Sequence, residues 1–188
     1  MKEIEILVEI YDNIEDIKKK FSKFKYIGLK HTIDEYYYDP KRKELKPDKN
    51  NQLNHCLRLR TKDDVYSITY KDDVFEKGKW LYSNEYETTV ENINIIREIF
   101  KKIGLIKFIE IDNKKETYTY NDYEIVIETV KNLGTFMEVE YCTDRDVDVK
   151  EIKQQIQEFI DNLKINVSKE LNMGKPEMYM KKHSIIIS

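Results

Sequence analysis

Cysteine is scarce in this 188-residue chain, with only Cys56 and Cys142 present. Both fall in strand-like stretches, so they read as buried free thiols of a reducing compartment, and they form no zinc-ligand pattern. Long apolar runs are missing as well. None approaches the roughly twenty residues of a membrane-spanning helix, and Ile185-Ile186-Ile187 is far too short. An opening that carries Glu3 and Glu5 is not that of a secretory signal peptide. Positive charge is not in excess: 33 Lys and Arg stand against 36 Asp and Glu, a formal net charge of -3. That balance argues against a general nucleic-acid-binding surface but allows an internal basic pocket. With 37% charged and 12% aromatic residues, the composition is that of one globular domain, expected to be cytoplasmic.

What is present is an acidic alternation on strands. In the first ten residues Ile4, Ile6, Val8 and Ile10 fall on one side of a strand. Glu3, Glu5, Leu7 and Glu9 fall on the other, because side chains alternate with period two. The apolar side suits a core. The acidic side is either a solvated edge or a cation site, since hard divalent ions take carboxylate oxygens. A second E-x-E, Glu138 and Glu140, stands near the other end of the chain, and two such pairs can face each other across a barrel. Between them Arg58 and Arg60 share a face with Cys56, and Lys71 shares one with Ser67 and Thr69. Carboxylates together with interior cations suit a metal–polyphosphate ligand.

With these motifs in this order the chain resembles the CYTH superfamily, the triphosphate tunnel metalloenzymes. These include class IV adenylyl cyclases, thiamine triphosphatases and inorganic triphosphatases. Glu3-Ile4-Glu5-Ile6-Leu7 matches the family's E-x-E-x-K opening except at its last position. Asp34-Glu35-Tyr36-Tyr37, Leu57-Arg58-Leu59-Arg60, Ile68-Thr69-Tyr70-Lys71, Leu133-Gly134-Thr135-Phe136 and Glu138-Val139-Glu140 follow in the family's order, over roughly residues 2 to 165. The resemblance implies an α+β fold: an antiparallel eight-stranded closed barrel, the tunnel, with helices packed outside. It implies Mg2+ or Mn2+ on Glu3, Glu5, Glu128, Glu138 and Glu140, and a triphosphate on Arg58, Arg60, Lys71 and Lys115. Glu5, Glu128 and Arg58 would be catalytic, and Asp34 and Tyr36 supporting. Leu7, Asn84 and Asn113 stand where the family pattern expects basic residues.

The activity implied is that of a class IV adenylyl cyclase, converting ATP to cyclic AMP and pyrophosphate. An inorganic or thiamine triphosphatase releasing orthophosphate, or a catalytically weak nucleotide- or polyphosphate-binding module, is the alternative. The partners expected are ATP or another triphosphate and, at most, a second copy of the chain, with neither nucleic acid nor membrane.

Around these motifs the pattern predicts a helix from Asp12 or Asn13 to about Phe24, and a strand from about Lys30 to Asp39 that follows Gly28. Lys41 to Asn51 reads as a loop, Asp72 to Lys79 as a polar turn region, and Trp80 to Val90 as a long strand carrying a third E-x-E, Glu85 and Glu87. Asn92 caps a helix to about Lys102 with Ile95, Ile96, Ile99, Phe100 and Ile103 inward. A hairpin turns at Asn121-Asp122, and Val149 to Leu163 is helical. Residues 1–165 form the tunnel domain. Residues 166–188 form a helical extension on it: Ser168 caps a short helix, Gly174 to Pro176 interrupt it, and the last six residues are loose.

Overall fold

The computed structural model describes residues 1–187. Eight strands close into an antiparallel barrel: β1 (Lys2–Glu9), β2 (Lys25–Tyr38), β3 (His55–Lys62), β4 (Val65–Glu76), β5 (Lys79–Val90), β6 (Ile106–Tyr120), β7 (Tyr123–Val130) and β8 (Gly134–Thr143). Around the barrel the order is β1-β5-β4-β3-β2-β6-β7-β8. Four helices accompany it: α1 (Ile14–Lys20), α2 (Ile93–Lys102), α3 (Val149–Asn162) and α4 (Lys175–His183). Among the described residues no helix is long and apolar enough to cross a membrane.

Period-two alternation sorts the side chains into layers. The outward Ile4, Ile6, Val8, Ile125, Ile127, Met137 and Val139 form one core with Ile17 and Phe21 at α1 and Ile156 and Ile160 of α3. The outward Tyr37, Leu57 and Leu59 form a second with Ile93 and Phe100 of α2. A third lies inside one end of the barrel, where Leu7, Tyr36, Ile109, Ile111, Val130 and Phe136 meet Met180 of α4. The tunnel is therefore stoppered by its own apolar residues and one helix, and the rest of its interior is left polar.

The seam between β1 and β5 is short, since only Lys2 and Glu3 pair with Asn84 and Ser83. The edge of β1 beyond it is covered by the chain after α3. Tyr11 donates to the Asn166 carbonyl, Ser168 to that of Glu9, and Leu171 to that of Leu7. An uncovered edge is a template for intermolecular pairing. Covering it also delivers the C-terminal segment to the tunnel's end.

Several expected boundaries move. Helix α1 ends at Lys20 and gives way to a 3-10 turn over Phe21–Lys23. Strand β2 begins at Lys25, before Gly28, which sits within it at φ 152 beside a register shift. The glycine is a bulge rather than a boundary. The stretch expected as a turn after Asp72 continues as strand to Glu76, and only Lys77 and Gly78 turn.

Helix α2 buries Ile93 and Phe100, with Ile96 against them, whereas Ile95, Ile99 and Ile103 are 55%, 47% and 66% exposed. Its isoleucines make two stripes, and the barrel wall covers the one begun by Ile93. Ser168 caps no helix; its hydroxyl accepts the Glu9 N–H. Pro176 lies in the first turn of α4, where its missing N–H costs nothing, so it opens a helix rather than interrupting one. The residues after it are anchored: Ile185 donates to the Met180 carbonyl, and Ile185 and Ile187 pack on the internal apolar cluster. Ser188 lies outside the described residues. Both cysteines are free, but neither is buried as expected: Cys56 is half-buried and Cys142 exposed.

Candidate active site

The polar interior is a cavity of about 410 Å³. Each strand contributes alternate residues to it. Glu3 and Glu5 come from β1, Arg58 and Arg60 from β3, and Lys71 and Asp73 from β4. Glu85 and Glu87 come from β5, Lys115 from β6, Glu124 from β7, and Glu138 and Glu140 from β8. The two E-x-E pairs expected to converge do so, because β1 and β8 are neighbours with Glu5 opposite Glu140 and Leu7 opposite Glu138.

Carboxylate oxygens of Glu5, Glu138 and Glu140 lie within 4.8 Å of one another. Glu3, Glu140 and the Cys142 sulfur form a second such group. Glu5 is 6% exposed, and among the described residues no basic side chain forms an ion pair with it. Burial, then the charges of Glu138 and Glu3, push its carboxyl well above the ordinary value. Glu140 is pushed up to about 8 by burial and then by Glu3 and Glu138.

Glu3 and Glu138 behave oppositely. Burial alone would raise both, but Lys71 outweighs it at Glu3, and Lys175 and then Lys115 bring Glu138 down to about 2. Like charges this close cannot all ionise unaided; a proton or a cation must intervene. The three carboxylates of the first group, in a polar cavity, are compatible with a hard divalent ion.

The cations are gripped by carboxylates of their own. Arg58 Nη2 donates to Thr69 Oγ1 at 3.1 Å, Glu85 Oε1 at 3.3 Å and Glu87 Oε2 at 3.4 Å, while its buried Nε has no partner. Arg60 forks onto Asp34. Lys71 Nζ lies 2.6 Å from Glu3 and 3.3 Å from Glu85. Lys115 Nζ lies 3.6 Å from Glu128 and 3.8 Å from Glu138. Glu128 is wholly buried beside Lys115, outside both groups of close donors. Tyr36 is interior and Tyr37 exterior, as their alternation requires.

Of the three positions expected to have lost a basic residue, Asn84 is misplaced. The interior face of β5 carries Ser83, Glu85 and Glu87, so Asn84 points out of the tunnel and borders a shallow surface hollow instead. Asn113 is interior and 2% exposed, and its amide nitrogen and oxygen lack partners. Leu7 is interior and sits in the internal apolar cluster.

A cation absent from the sequence expectation lies near that place. Lys175, first residue of α4, sets its Nζ 2.5 Å from Glu128 Oε2 and in contact with Glu138 Oε1. In sequence it is one lysine among many beside Gly174 and Pro176, and only the covering of the β1 edge brings it inside. Asp73 and Glu177 were also missed. Burial raises them to about 6 and about 7.

Comparison with known proteins agrees with this architecture. The CYTH domain model matches residues 1–171. A candidate adenylate cyclase of Methanocaldococcus jannaschii is 32% identical over 174 residues, covering 90% of this chain and 93% of that protein. Among solved structures, a Pyrococcus horikoshii OT3 protein superposes with a TM-score of 0.78 at 20% identity, covering 95% of this chain and 99% of that one. A candidate adenylyl cyclase from Hippeastrum, whose structure was described with a dominant triphosphatase activity, gives 0.65 at 13% identity, covering 99% and 97%. The two structural likenesses speak for the fold.

Proposed function

The chain belongs to the CYTH domain family, and from that premise we propose that it is a divalent-metal-dependent enzyme acting on a triphosphate, converting ATP to cyclic AMP and pyrophosphate. The observation that carries this reading is Glu5, a buried carboxyl without a basic partner, grouped with Glu138 and Glu140 in a cavity that also holds Arg58, Arg60, Lys71 and Lys115. An anion alone would not call for the carboxylates, and a cation alone would not call for the arginines. A metal–triphosphate calls for both. Ten acidic residues against six basic ones line the cavity, so a bare triphosphate would be repelled and its metal complex favoured.

Mg2+ or Mn2+, held by Glu3, Glu5, Glu138 and Glu140 with Glu128 beside them, would neutralise phosphoryl charge and acidify the attacking hydroxyl. Arg58 has an unused Nε donor, and with Arg60, Lys71 and Lys115 it would hold phosphoryl oxygens in line for attack. Glu5, or Glu128, whose Oε1 accepts no hydrogen bond, would take the proton of the nucleophile. The cavity lining also includes Tyr36, Leu53, Cys56, Trp80 and Pro176, apolar surface against which a flat base can pack. That lining, together with the name carried by the Methanocaldococcus relative, supports ATP over an inorganic triphosphate.

The second reading is a triphosphatase, in which the same carboxylates orient water onto the terminal phosphorus. It is supported by the acid-rich cavity and by the activity described for the Hippeastrum protein. Incubation with ATP, tripolyphosphate and thiamine triphosphate, each with Mg2+ and with Mn2+, separates the two. Cyclic AMP with pyrophosphate supports the cyclase, and orthophosphate moves the assignment to the triphosphatase. Binding without any product overturns the enzyme reading in favour of a polyphosphate-binding module.

A further inference from the structure

We propose that Lys175 is a tethered cation that stands in for the basic side chain missing at position 7, and that it competes with a divalent ion for Glu138 until a triphosphate draws it away. This rests on the triphosphate reading above. Leu7 and Glu138 face each other in the β1–β8 register. A lysine at position 7 would end beside Glu138, and that is where the Lys175 ammonium lies, delivered from α4. Its reach is fixed by the chain around it: Leu171 is bonded to the Leu7 carbonyl, and Met180 packs in the same cluster as Leu7.

Glu138 has two claimants. It belongs to the group with Glu5 and Glu140, and it is also paired with Lys175 and, more distantly, Lys115. Two ammonium groups thus neutralise Glu128 and Glu138 without a metal, while Glu5 and Glu140 have no such pairing. An ion seated on Glu138 must therefore displace Lys175. A lysine can make that move, because a flexible stem carries three donors that serve phosphoryl oxygens as well as carboxylates. The displaced ammonium then becomes a phosphate contact, so metal and triphosphate each bind better in the presence of the other.

The test uses the full chain. Mn2+ binding without nucleotide is followed by electron paramagnetic resonance, and tripolyphosphate binding at saturating Mg2+ by calorimetry, for wild type, Lys175→Gln and Lys175→Arg. Lys175→Gln should bind Mn2+ alone roughly tenfold more tightly and tripolyphosphate roughly tenfold more weakly. Lys175→Arg, which keeps the charge, should follow wild type in both. Lys62→Gln removes another cavity lysine that makes no ion pair with these carboxylates, and it should leave Mn2+ affinity unchanged.

Unchanged Mn2+ affinity in folded Lys175→Gln, or equal tightening in Lys62→Gln, would overturn the proposal. If glutamine unseats α4, judged by circular dichroism, Lys175→Met is read in the same way. A wild type that binds neither Mn2+ nor tripolyphosphate would defeat the triphosphate reading itself. A wild type that binds both, with no change in the Lys175 variants, would defeat only the role of Lys175.

Discussion

Arg60 grips Asp34 through two parallel hydrogen bonds, Nε to Oδ1 at 2.7 Å and Nη2 to Oδ2 at 2.8 Å. Asp34 is 3% exposed. Burial would raise its carboxyl, but Arg60 holds it well below the usual range. The pair presets the guanidinium plane in the cavity wall. Asp34→Asn keeps the shape and leaves a buried arginine short of its countercharge, which should cost about 3 kcal/mol in urea unfolding. Tripolyphosphate should restore part of that loss by supplying an anion. A variant as stable as wild type would mean that Arg60 is not held by Asp34.

Glu5 predicts an opposite pattern. Its charge has no basic partner and is opposed by burial, Glu138 and Glu3. Glu5→Gln should therefore leave the metal-free protein as stable as wild type or more so, while Mn2+ binding weakens at least roughly tenfold, the loss of one charged contact. Thermal melting in EDTA and Mn2+ titration measure the two effects. A large loss of stability in EDTA would show that Glu5 is a structural carboxylate.

A pH dependence follows from Glu177, which accepts the Leu53 N–H at 3.2 Å and so ties the chain before β3 to α4. Burial, opposed by backbone N–H bonds and aided by Asp73, raises its carboxyl from 4.5 to about 7. A pKa raised on folding means that the protonated form stabilises the fold. That stability is fully present below 4.5 and is lost as pH rises through about 7. Metal-free wild type should therefore lose about 3 kcal/mol from this group as pH rises. Glu177→Gln should lack that share. Parallel plots of melting temperature against pH would remove the argument.

The barrel and most of the cavity wall were legible because strand alternation is rigid: once Glu3 and Glu5 face inward, so must Leu7, and Ile4, Ile6 and Val8 must face out. The same rule exposes the error at Asn84. Glu85 and Glu87 were read on one face, and their neighbour could not share it. Helix α2 was less legible because its isoleucines satisfy two helical stripes, and only the position of the barrel chooses between them. Lys175 was illegible for a different reason. Its contacts span 37 and 47 residues, and they depend on how an extended segment covers the β1 edge.

Arg58 carries the most discriminating test of the phosphate site. Its Nη2 is shared among Thr69, Glu85 and Glu87, so its position in the folded chain is well supported. Its Nε is buried without an acceptor, and leaving such a donor unmet costs about 1–3 kcal/mol. A phosphoryl oxygen at that point would recover the cost. Arg58→Lys keeps the positive charge and the route to Glu85, but a lysine has no second nitrogen fixed in the guanidinium plane. Folding stability should fall by about 1 kcal/mol, the scale of one lost hydrogen bond. Tripolyphosphate affinity and turnover should each fall by a factor of roughly ten to a hundred, the scale of a lost charge-assisted contact. Chemical unfolding, calorimetry and product assays on one preparation compare the three. Losses in binding and turnover no larger than the loss in stability would place Arg58 among the structural ion pairs of the wall, and the triphosphate would have to be held by Arg60, Lys71 and Lys115 without it.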